Sequence, residues 1–259
     1  MRDSYLQQTH GRLPSTNGRN ATIVISCDNA YFIEYFQSFI YSLDASQNNI
    51  PVHLHVTNAD LSIEGRIEEI SSNLSTTELT WTTSPSTSFS WLGHKQIYYA
   101  AARFMLAHEI VRCTEKPVLC LDVDGIVRGP ILPVFELALG DADALVFWRS
   151  HKLAEKRVLA SAIGFAPTAN GIRLLDVVAR TIHMALAINP RYHIDQAILA
   201  FAMEWLQRLR RLRTNQMPKS LTDYDFAPDS IIWTAKGAKK DSNLFKESLN
   251  RTEEHTKNT

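Results

Sequence analysis

Residues 117–129 read PVLCLDVDGIVRG, and within them two aspartates, Asp122 and Asp124, come directly after an apolar run. That run, residues 118–121, has the length and composition of a buried strand. Side chains alternate between the two faces of a strand, so an extended chain places Asp122 and Asp124 on the same side. Two adjacent carboxylates repel each other unless a cation lies between them. The sequence therefore predicts a divalent metal ion at this point, bound together with a ligand that carries phosphate.

The same residues allow other interpretations. Two acids at the turn after a strand are common, and an Asp-X-Asp triplet alone is a weak functional signal. Residues 121–127 also resemble the first motif of haloacid-dehalogenase-type phosphatases, in which Asp122 would be the nucleophile and Asp124 the general acid. That motif normally opens its fold, whereas here residues 1–116 precede the apolar run. The position in the chain favours a transferase over a phosphatase.

The upstream residues predict the start of a nucleotide-binding sheet. Residues 21–31 predict a first strand that ends in a polar turn, a helix follows over residues 32–43, and residues 52–57 predict a second strand. This is a β-α-β unit, and the ligands of such sheets gather at the carboxyl ends of the strands. Asp28 and Asp122 both fall at such ends.

Four segments of the chain, in order, resemble the family 8 glycosyltransferases, the family of glycogenin and of bacterial lipopolysaccharide glycosyltransferases. They are DNAY at 28–31, YYAAARF at 98–104, LCLDVDGIVRG at 119–129 and YHIDQAIL at 192–199. The resemblance covers roughly residues 21–240 and implies a single glycosyltransferase domain of GT-A type over that range. Such a domain is an α/β fold with a Rossmann-like, mixed, mainly parallel sheet flanked by helices.

The resemblance also implies a reaction and roles for several residues. Asp122 and Asp124 would hold Mn²⁺ or Mg²⁺ on the diphosphate of a UDP-sugar donor, with Val123 between them in the donor site. Arg103 would reach the donor. Asp195 and Gln196 would line the donor-sugar pocket, with the amide beside the anomeric carbon, and the hexose would be transferred with retention. From the residues alone, Arg103 could equally lie on the solvent face of a helix, and Asp195 could cap one.

Binding of the uridine is assigned to the first predicted strand end. Asp28 and Asn29 can pair with the uracil imide or the ribose hydroxyls, and the ring of Tyr31 can stack on the base. Turn chemistry alone would also explain Asp28 and Asn29.

Two departures from the family pattern affect the site. Family members carry a late His-X-X-Gly-X-X-Lys segment that supplies a third metal ligand and a lysine to the diphosphate. Here Gly237 and Lys240 keep that spacing, whereas Thr234 replaces the histidine. Family members also place an asparagine against the donor sugar, and here Ala162 takes its place while Gly164 is kept. A non-catalytic sugar-nucleotide binder is therefore a further alternative.

Composition is consistent with a globular enzyme that acts on small molecules. The chain has 259 residues, 45% of them hydrophobic, and carries 27 basic and 27 acidic residues. A net charge near zero argues against a nucleic-acid binder. Three cysteines without metal-ligand spacing predict a cytoplasmic protein. No apolar run reaches the roughly 18 residues of a membrane span, so any membrane contact would be peripheral.

Three further expectations concern the chain ends and the exposed faces. Residues 1–20 and 241–259 are polar or charged and predict mobile tails. The acceptor, whether a glycan, a lipid-linked sugar or a protein, is not indicated. A basic run could meet an anionic lipid-linked acceptor, although a solvated helix face is the simpler interpretation. A stripe of apolar residues with helical spacing is expected to pack against the core rather than to bind a ligand. The basic run is Arg208, Arg210, Arg211 and Arg213, and the stripe is Ile198, Phe201, Trp205, Leu209 and Leu212.

Overall fold

The computed structural model describes residues 9–15, 21–84, 95–188, 190 and 193–249. Its strands are β1 (His10–Gly11), β2 (Thr22–Asp28), β3 (Val52–Thr57), β4 (Leu79–Ser84), β5 (Val118–Leu121), β6 (Gly125–Val127), β7 (Ala144–Trp148), β8 (Val158–Phe165), β9 (Thr214–Gln216) and β10 (Ile232–Thr234).

The α-helices are α1 (Asn29–Tyr31), α2 (Gln37–Ala45), α3 (Leu61–Asn73), α4 (Lys95–Thr114), α5 (Ile131–Leu139), α6 (Ala154–Arg157), α7 (Ala169–Leu186) and α8 (Ile194–Arg208). A π-helical segment, Phe32–Phe36, joins α1 to α2. Two 3₁₀ segments, Lys219–Leu221 and Gly237–Asp241, lie near the end of the chain, and residues 243–249 are helical.

Eight strands form one sheet in the order β1-β4-β3-β2-β5-β8-β7-β9. The central strands β4, β3, β2 and β5 run parallel, whereas β8 is antiparallel to both β5 and β7. The remaining strands, β6 and β10, form a separate antiparallel ribbon. The expected α/β fold with a mixed, mainly parallel sheet flanked by helices is therefore confirmed.

The central strands bury both of their faces, which explains their unbroken apolar sequences. On β5, Leu119 and Leu121 pack into one core cluster, and Val118 and Cys120 pack into the other. Helices cover both faces of a parallel sheet, so its strands do not alternate between apolar and polar residues. The expected strands over residues 118–121 and 52–57 are confirmed residue for residue. The first strand expected within residues 21–31 is Thr22–Asp28.

The structure differs from the expected mobile tails in two places. His10 and Gly11 pair with Thr83 and Thr82 of β4, so this part of the N-terminal segment belongs to the sheet. Near the other end, Phe245 is completely buried and stacks on Phe226 with a centroid distance of 5.5 Å. One aromatic residue therefore fixes a segment whose composition is otherwise polar. The rest of the expected tails, residues 1–8, 16–20 and 250–259, lies outside the described residues.

The expected apolar stripe is only partly buried: its ends, Ile198 and Leu212, are buried, whereas its middle is exposed. Phe201, Trp205 and Leu209 are 70%, 42% and 46% exposed, whereas Leu199 and Met203 are completely buried. Both stripes have helical spacing, so periodicity could not distinguish them. Packing against α7 and β8 selects the stripe that contains Leu199.

The basic run at the end of α8 is exposed to solvent, which agrees with its interpretation as a solvated helix face. Arg208, Arg210 and Arg211 are exposed, and Arg213 forms an ion pair with Asp141 at 2.7 Å. None of the helices in the described part of the chain combines the length and apolar character that a membrane crossing requires.

Close packing, rather than the ligand, accounts for Gly164 on β8. A Cβ atom at this position would lie 2.5 Å from the ring of Phe135 on α5. Real Cβ atoms do not approach a carbon so closely, so any side chain here would push α5 away from the sheet. The glycine that the family pattern shares therefore keeps β8 and its neighbour β5 in place under the helix.

Two buried histidines join β3 to β4 through hydroxyl groups. The two ring nitrogens of His53 lie 3.0 and 3.1 Å from the hydroxyls of Thr80 and Thr82, and His55 Nδ1 lies 3.0 Å from Thr82 Oγ1. Burial lowers the pKa of His53 to about 3 and that of His55 to about 4. Both rings are therefore neutral in the folded protein wherever it is stable.

These histidines predict acid sensitivity. Below the ordinary histidine pKa of 6.5, the unfolded chain binds protons that the folded chain excludes. The free energy of unfolding should be independent of these groups above pH 7 and fall between pH 6.5 and 4, by about 1.4 kcal/mol per pH unit for each histidine. Urea titrations across this range measure the slope. His53→Gln should reduce it, whereas His151→Gln, at an exposed position, should not. Identical slopes in all three proteins would contradict the assignment.

Candidate active site

A cavity of about 530 Å³ opens beside the carboxyl ends of β2 and β5. The strand order reverses here, since β3 and β4 continue the sheet on one side of β2 and β5 continues it on the other. Ligands of open α/β sheets bind at such a reversal, and the volume suits a small-molecule ligand. Most of the expected site residues line the cavity: Asp28, Tyr31, Arg103, Asp122, Val123, Asp124, Asp195, Gln196, Gly237 and Lys240.

The Asp122 and Asp124 carboxylates each have a cationic partner. The Asp122 amide donates to the Ser161 carbonyl at 3.0 Å, which extends the pairing of β5 with β8 by one residue, and Asp122 accepts a hydrogen bond from Arg103 Nη1. Asp124 Oδ2 lies 2.6 Å from Lys240 Nζ. Burial and the nearby Asp122 charge raise the pKa of Asp124 to about 6, against the effect of Lys240. Each of the two carboxylates in the cavity is therefore compensated by its own cation.

Arg103 lies inside the protein, on α4, and is 3% exposed. Its Nη2 donates to the Ala160 carbonyl at 2.8 Å, and its backbone amide donates to Ser26 Oγ at 3.1 Å. Burial alone would lower the pKa of Arg103, but the carboxylates of Asp122 and Asp195 raise it. The alternative interpretation of Arg103 as an arginine on a solvent face is wrong.

Asp195 and Gln196 lie in the first turn of α8 and are 7% and 8% exposed. The residue that caps this helix is His193, in a left-handed conformation with φ of 68°, so the N-cap interpretation of Asp195 is wrong. Gln196 Nε2 lies 3.0 Å from His193 Nδ1. Burial raises the pKa of Asp195, and the Arg103 guanidinium opposes this. Tyr192, which belongs to the same motif, lies outside the described residues.

The three residues expected to bind uridine do not lie together. Asp28 accepts a hydrogen bond from the Tyr31 amide at 2.9 Å and so caps α1 while it also lines the cavity. Tyr31 is 41% exposed at the cavity edge. Asn29 is not among the lining residues, and its buried Oδ1 has no hydrogen-bond partner within the described part of the chain. The structure therefore brings Asp28 and Tyr31 into the cavity and leaves Asn29 outside it.

The ribbon of β6 and β10 brings the late lysine segment to the paired acids. Thr234 pairs with Gly125, and the Ala235 amide donates to the Asp124 carbonyl at 3.2 Å. Gly237 has φ of +56°, a conformation that glycine adopts without cost, and it starts the short 3₁₀ helix that carries Lys240. Thr234 is 4% exposed and does not line the cavity. Thr234 therefore lies next to the Asp124 segment through the pairing of β10 with β6, but it adds no metal ligand to the cavity.

Several lining residues were not predicted from the sequence. Ser161, rather than Ala162, lines the cavity, because Ala162 packs into the core between the sheet and its helices. Strand alternation could have indicated this. Tyr224 also lines the cavity, where burial and the Asp122 charge raise its pKa, but its position in a loop gave no signal. Lys236 and His193 line the cavity as well. Lys236 directly precedes Gly237, and His193 belongs to the segment YHIDQAIL at 192–199.

The balance of charge and the chemistry of the ligands favour a cation in this cavity. Four carboxylates line it, those of Asp28, Asp122, Asp124 and Asp195, against the three cations Arg103, Lys236 and Lys240. Carboxylate oxygens are the ligands that Mg²⁺ and Mn²⁺ prefer, and the Lys240 ammonium already occupies a cation position at Asp124. Asp122 and Asp124 therefore fit a divalent ion as two of its ligands. Among the described residues, no group of three or more His, Cys, Asp or Glu side chains could complete such a site.

Three solved structures that match this chain in fold are glycosyltransferases. GlyE of Streptococcus pneumoniae TIGR4 matches 90% of this chain and 60% of its own, at 18% identity and a TM-score of 0.60. The galactosyltransferase LgtC, solved with donor and acceptor sugar analogues, matches 89% of this chain and 95% of its own, at 17% identity and a TM-score of 0.60. The bifunctional glycosyltransferase WbbM matches 94% of this chain and 45% of its own, at 13% identity and a TM-score of 0.55.

At these identities the likeness concerns the fold, and the chain spans about three fifths of GlyE. No protein-family model and no curated protein matches the chain. The expected resemblance to glycosyltransferases of GT-A architecture is nevertheless confirmed at the level of structure, since all three are glycosyltransferases and match at probability 1.00.

The ion pair of Arg103 and Asp122 should be important for folding as well as for the site. Arg103→Met would leave Asp122 and the buried Asp195 without their cation, and we expect a loss of about 3 kcal/mol in the free energy of unfolding. Adding Asp122→Asn should restore part of that loss, because the second change removes one uncompensated charge. Urea unfolding of the three variants forms the double-mutant cycle.

The matched control is Arg180→Met, which breaks an exposed ion pair with Asp176 and should change stability by less than about 0.5 kcal/mol. A loss in the double variant equal to the sum of the losses in Arg103→Met and Asp122→Asn would show that the two side chains are not coupled.

Proposed function

We propose that this chain transfers a hexose from a UDP-sugar donor to an acceptor, with retention at the anomeric carbon. The observation that carries the proposal is the pair of carboxylates, each matched by a cation, beside the strand reversal of a sheet shared with glycosyltransferases. Donor and acceptor analogues are bound in LgtC, which supports a donor site of the same class here.

The nucleotide would bind at the end of the cavity formed by β2 and α1. Asp28 lines this end, and the exposed ring of Tyr31 can stack on a base. We leave Asn29 out of this role, since it is not among the residues that line the cavity. The diphosphate would then extend toward Val123, Gly237 and the paired acids.

Asp122 and Asp124 would hold the divalent ion, Mn²⁺ or Mg²⁺. When bound, such an ion stabilises the negative charge that develops on the departing diphosphate. Arg103 neutralises Asp122 from inside the protein and keeps its carboxylate oriented toward the cavity. Lys240 and Lys236 add positive charge where the diphosphate would lie. Oxygens of the diphosphate would have to complete the coordination that the protein leaves open.

The sugar would face the start of α8. Gln196 has its amide fixed by His193, so it is orientated before the donor arrives, and buried Asp195 can accept hydrogen bonds from sugar hydroxyls. Ser161 supplies a hydroxyl on the strand where the family asparagine is missing. These side chains would enclose the reacting carbon and so favour transfer to an acceptor over transfer to water.

Assays with nucleotide sugars and with aryl phosphates distinguish the proposal from two alternatives. Incubation with UDP-glucose or UDP-galactose and Mn²⁺ should release UDP, slowly by hydrolysis when no acceptor is present. A non-catalytic sugar-nucleotide binder, which the replacements at Thr234 and Ala162 motivate, would bind UDP and release none. A phosphatase with Asp122 as its nucleophile would instead release phosphate from aryl phosphates. Either of these results would replace the proposal.

We also propose a cytoplasmic location. Cys27, Cys113 and Cys120 are free thiols, and Cys27 and Cys120 are buried. Free thiols are usual in a reducing compartment.

The paired acids should be essential for turnover. Asp122→Asn and Asp124→Asn each remove a ligand charge while preserving shape, and each should lower the rate of UDP release a hundredfold or more, about 3 kcal/mol of transition-state stabilisation. Asp141→Asn, which breaks an exposed ion pair outside the cavity, is the matched control and should leave the rate unchanged. Full activity in both acid variants would exclude the assignment.

Gln196 should act on the sugar rather than on the nucleotide. Gln196→Ala should lower kcat at least tenfold and leave the Kd for UDP within about a factor of two, because the lost contact is made only with the reacting part of the donor. Gln207→Ala, at an exposed position on the same helix, is the control. A collapse of UDP affinity in Gln196→Ala would mean that this side chain binds the nucleotide.

A further inference from the structure

Lys240 reaches the cavity from the short 3₁₀ segment Gly237–Asp241 and is held there by several contacts. Its Nζ lies 2.6 Å from Asp124 Oδ2 and donates to Tyr31 Oη at 3.0 Å. The same Nζ lies 4.4 Å from the ring centroid of Tyr31 and 4.7 Å from that of Tyr35. Two aromatic rings and one carboxylate therefore fix an ammonium group at the paired acids.

The Asp124 carboxylate cannot serve Lys240 and a divalent ion in the same way. An ammonium at 2.6 Å from one carboxylate oxygen occupies the position from which a metal ion would approach that oxygen. Both groups are positively charged, so they also repel each other. A divalent ion that binds Asp124 through Oδ2 must therefore displace Lys240.

A diphosphate offers Lys240 a second partner. The short 3₁₀ helix Gly237–Asp241 lines the cavity through Gly237 and Lys240, and the four-carbon stem of a lysine allows its ammonium to move between neighbouring anions. In a chain without a diphosphate, displacement from Asp124 would leave this ammonium with the rings of Tyr31 and Tyr35 and no anionic partner among these contacts. With a diphosphate present, the ammonium regains an anionic partner.

We propose that Lys240 occupies the cation position at Asp124 in the donor-free protein, and that it leaves for the donor diphosphate when a divalent ion binds. The inference rests on the proposed function for the identity of the donor. Lys240 is thus a positioning residue that makes the binding of metal and nucleotide depend on each other. Thermodynamic linkage requires the metal to raise the affinity for UDP by the same factor as UDP raises the affinity for the metal.

The test is the affinity for Mn²⁺ of the protein alone, measured by calorimetric titration with MnCl₂, and then repeated with saturating UDP. Lys240→Met removes the competing ammonium, so the affinity of the donor-free protein for Mn²⁺ should rise about tenfold, and the factor by which UDP increases it should fall. Lys240→Arg keeps the charge and should retain weak Mn²⁺ binding. Lys239→Met changes the neighbouring lysine, which pairs with Asp225, and should behave as the unaltered protein.

The outcomes separate the two claims. An unchanged or weaker affinity of Lys240→Met for Mn²⁺, in a protein with unaltered thermal stability, would overturn the inference. If Lys240→Met unfolds, Lys240→Gln, which retains hydrogen bonding to Asp124 and Tyr31, decides by the same criterion. Failure of the unaltered protein to bind UDP with or without Mn²⁺ would instead contradict the proposed donor, whereas the Mn²⁺ titrations without UDP would still decide the role of Lys240.

Discussion

The arrangement of this protein depends on two carboxylates that line one cavity directly after a buried strand. Asp122 and Asp124 would repel each other there without compensation, and the chain provides one cation for each. Arg103 comes from the long helix α4 inside the protein, and Lys240 from a short segment that the β6–β10 ribbon brings to the cavity. The cavity therefore requires both the sheet and the ribbon, although more than a hundred residues separate Asp122 from Lys240 in the sequence.

The two cations differ in how firmly they are held, and this difference has functional meaning. Arg103 is enclosed, with further hydrogen bonds to the backbone, so its removal should affect folding. Lys240 is 19% exposed in its side chain and depends on contacts with Asp124 and two tyrosines, so it can exchange partners. A fixed cation and an exchangeable one together would keep the charges of both carboxylates compensated without a ligand. They would also let the same carboxylates accept a metal–diphosphate complex.

Local patterns in the sequence predicted the features whose cause is local. The apolar run 118–121 is a strand because both of its faces are buried. Where two local solutions were equivalent, the sequence could not decide. Helix α8 has two apolar stripes, and only its packing against α7 shows that Leu199 is buried and Phe201 exposed. The order of the segments, rather than any one of them, carried the resemblance to glycosyltransferases.

The residues that were missed reach the site through long-range packing. Tyr224 lies in a loop, and His193 caps a helix with an unusual backbone conformation. The ion pairs of the paired acids could not be predicted either, because they join distant segments. A crystal structure of the protein with UDP and Mn²⁺ tests the account most directly. We predict the diphosphate beside Asp122 and Asp124, the metal on both carboxylates, and Lys240 Nζ on a phosphate oxygen. A nucleotide bound elsewhere, or an intact Lys240–Asp124 pair beside a bound diphosphate, would contradict it.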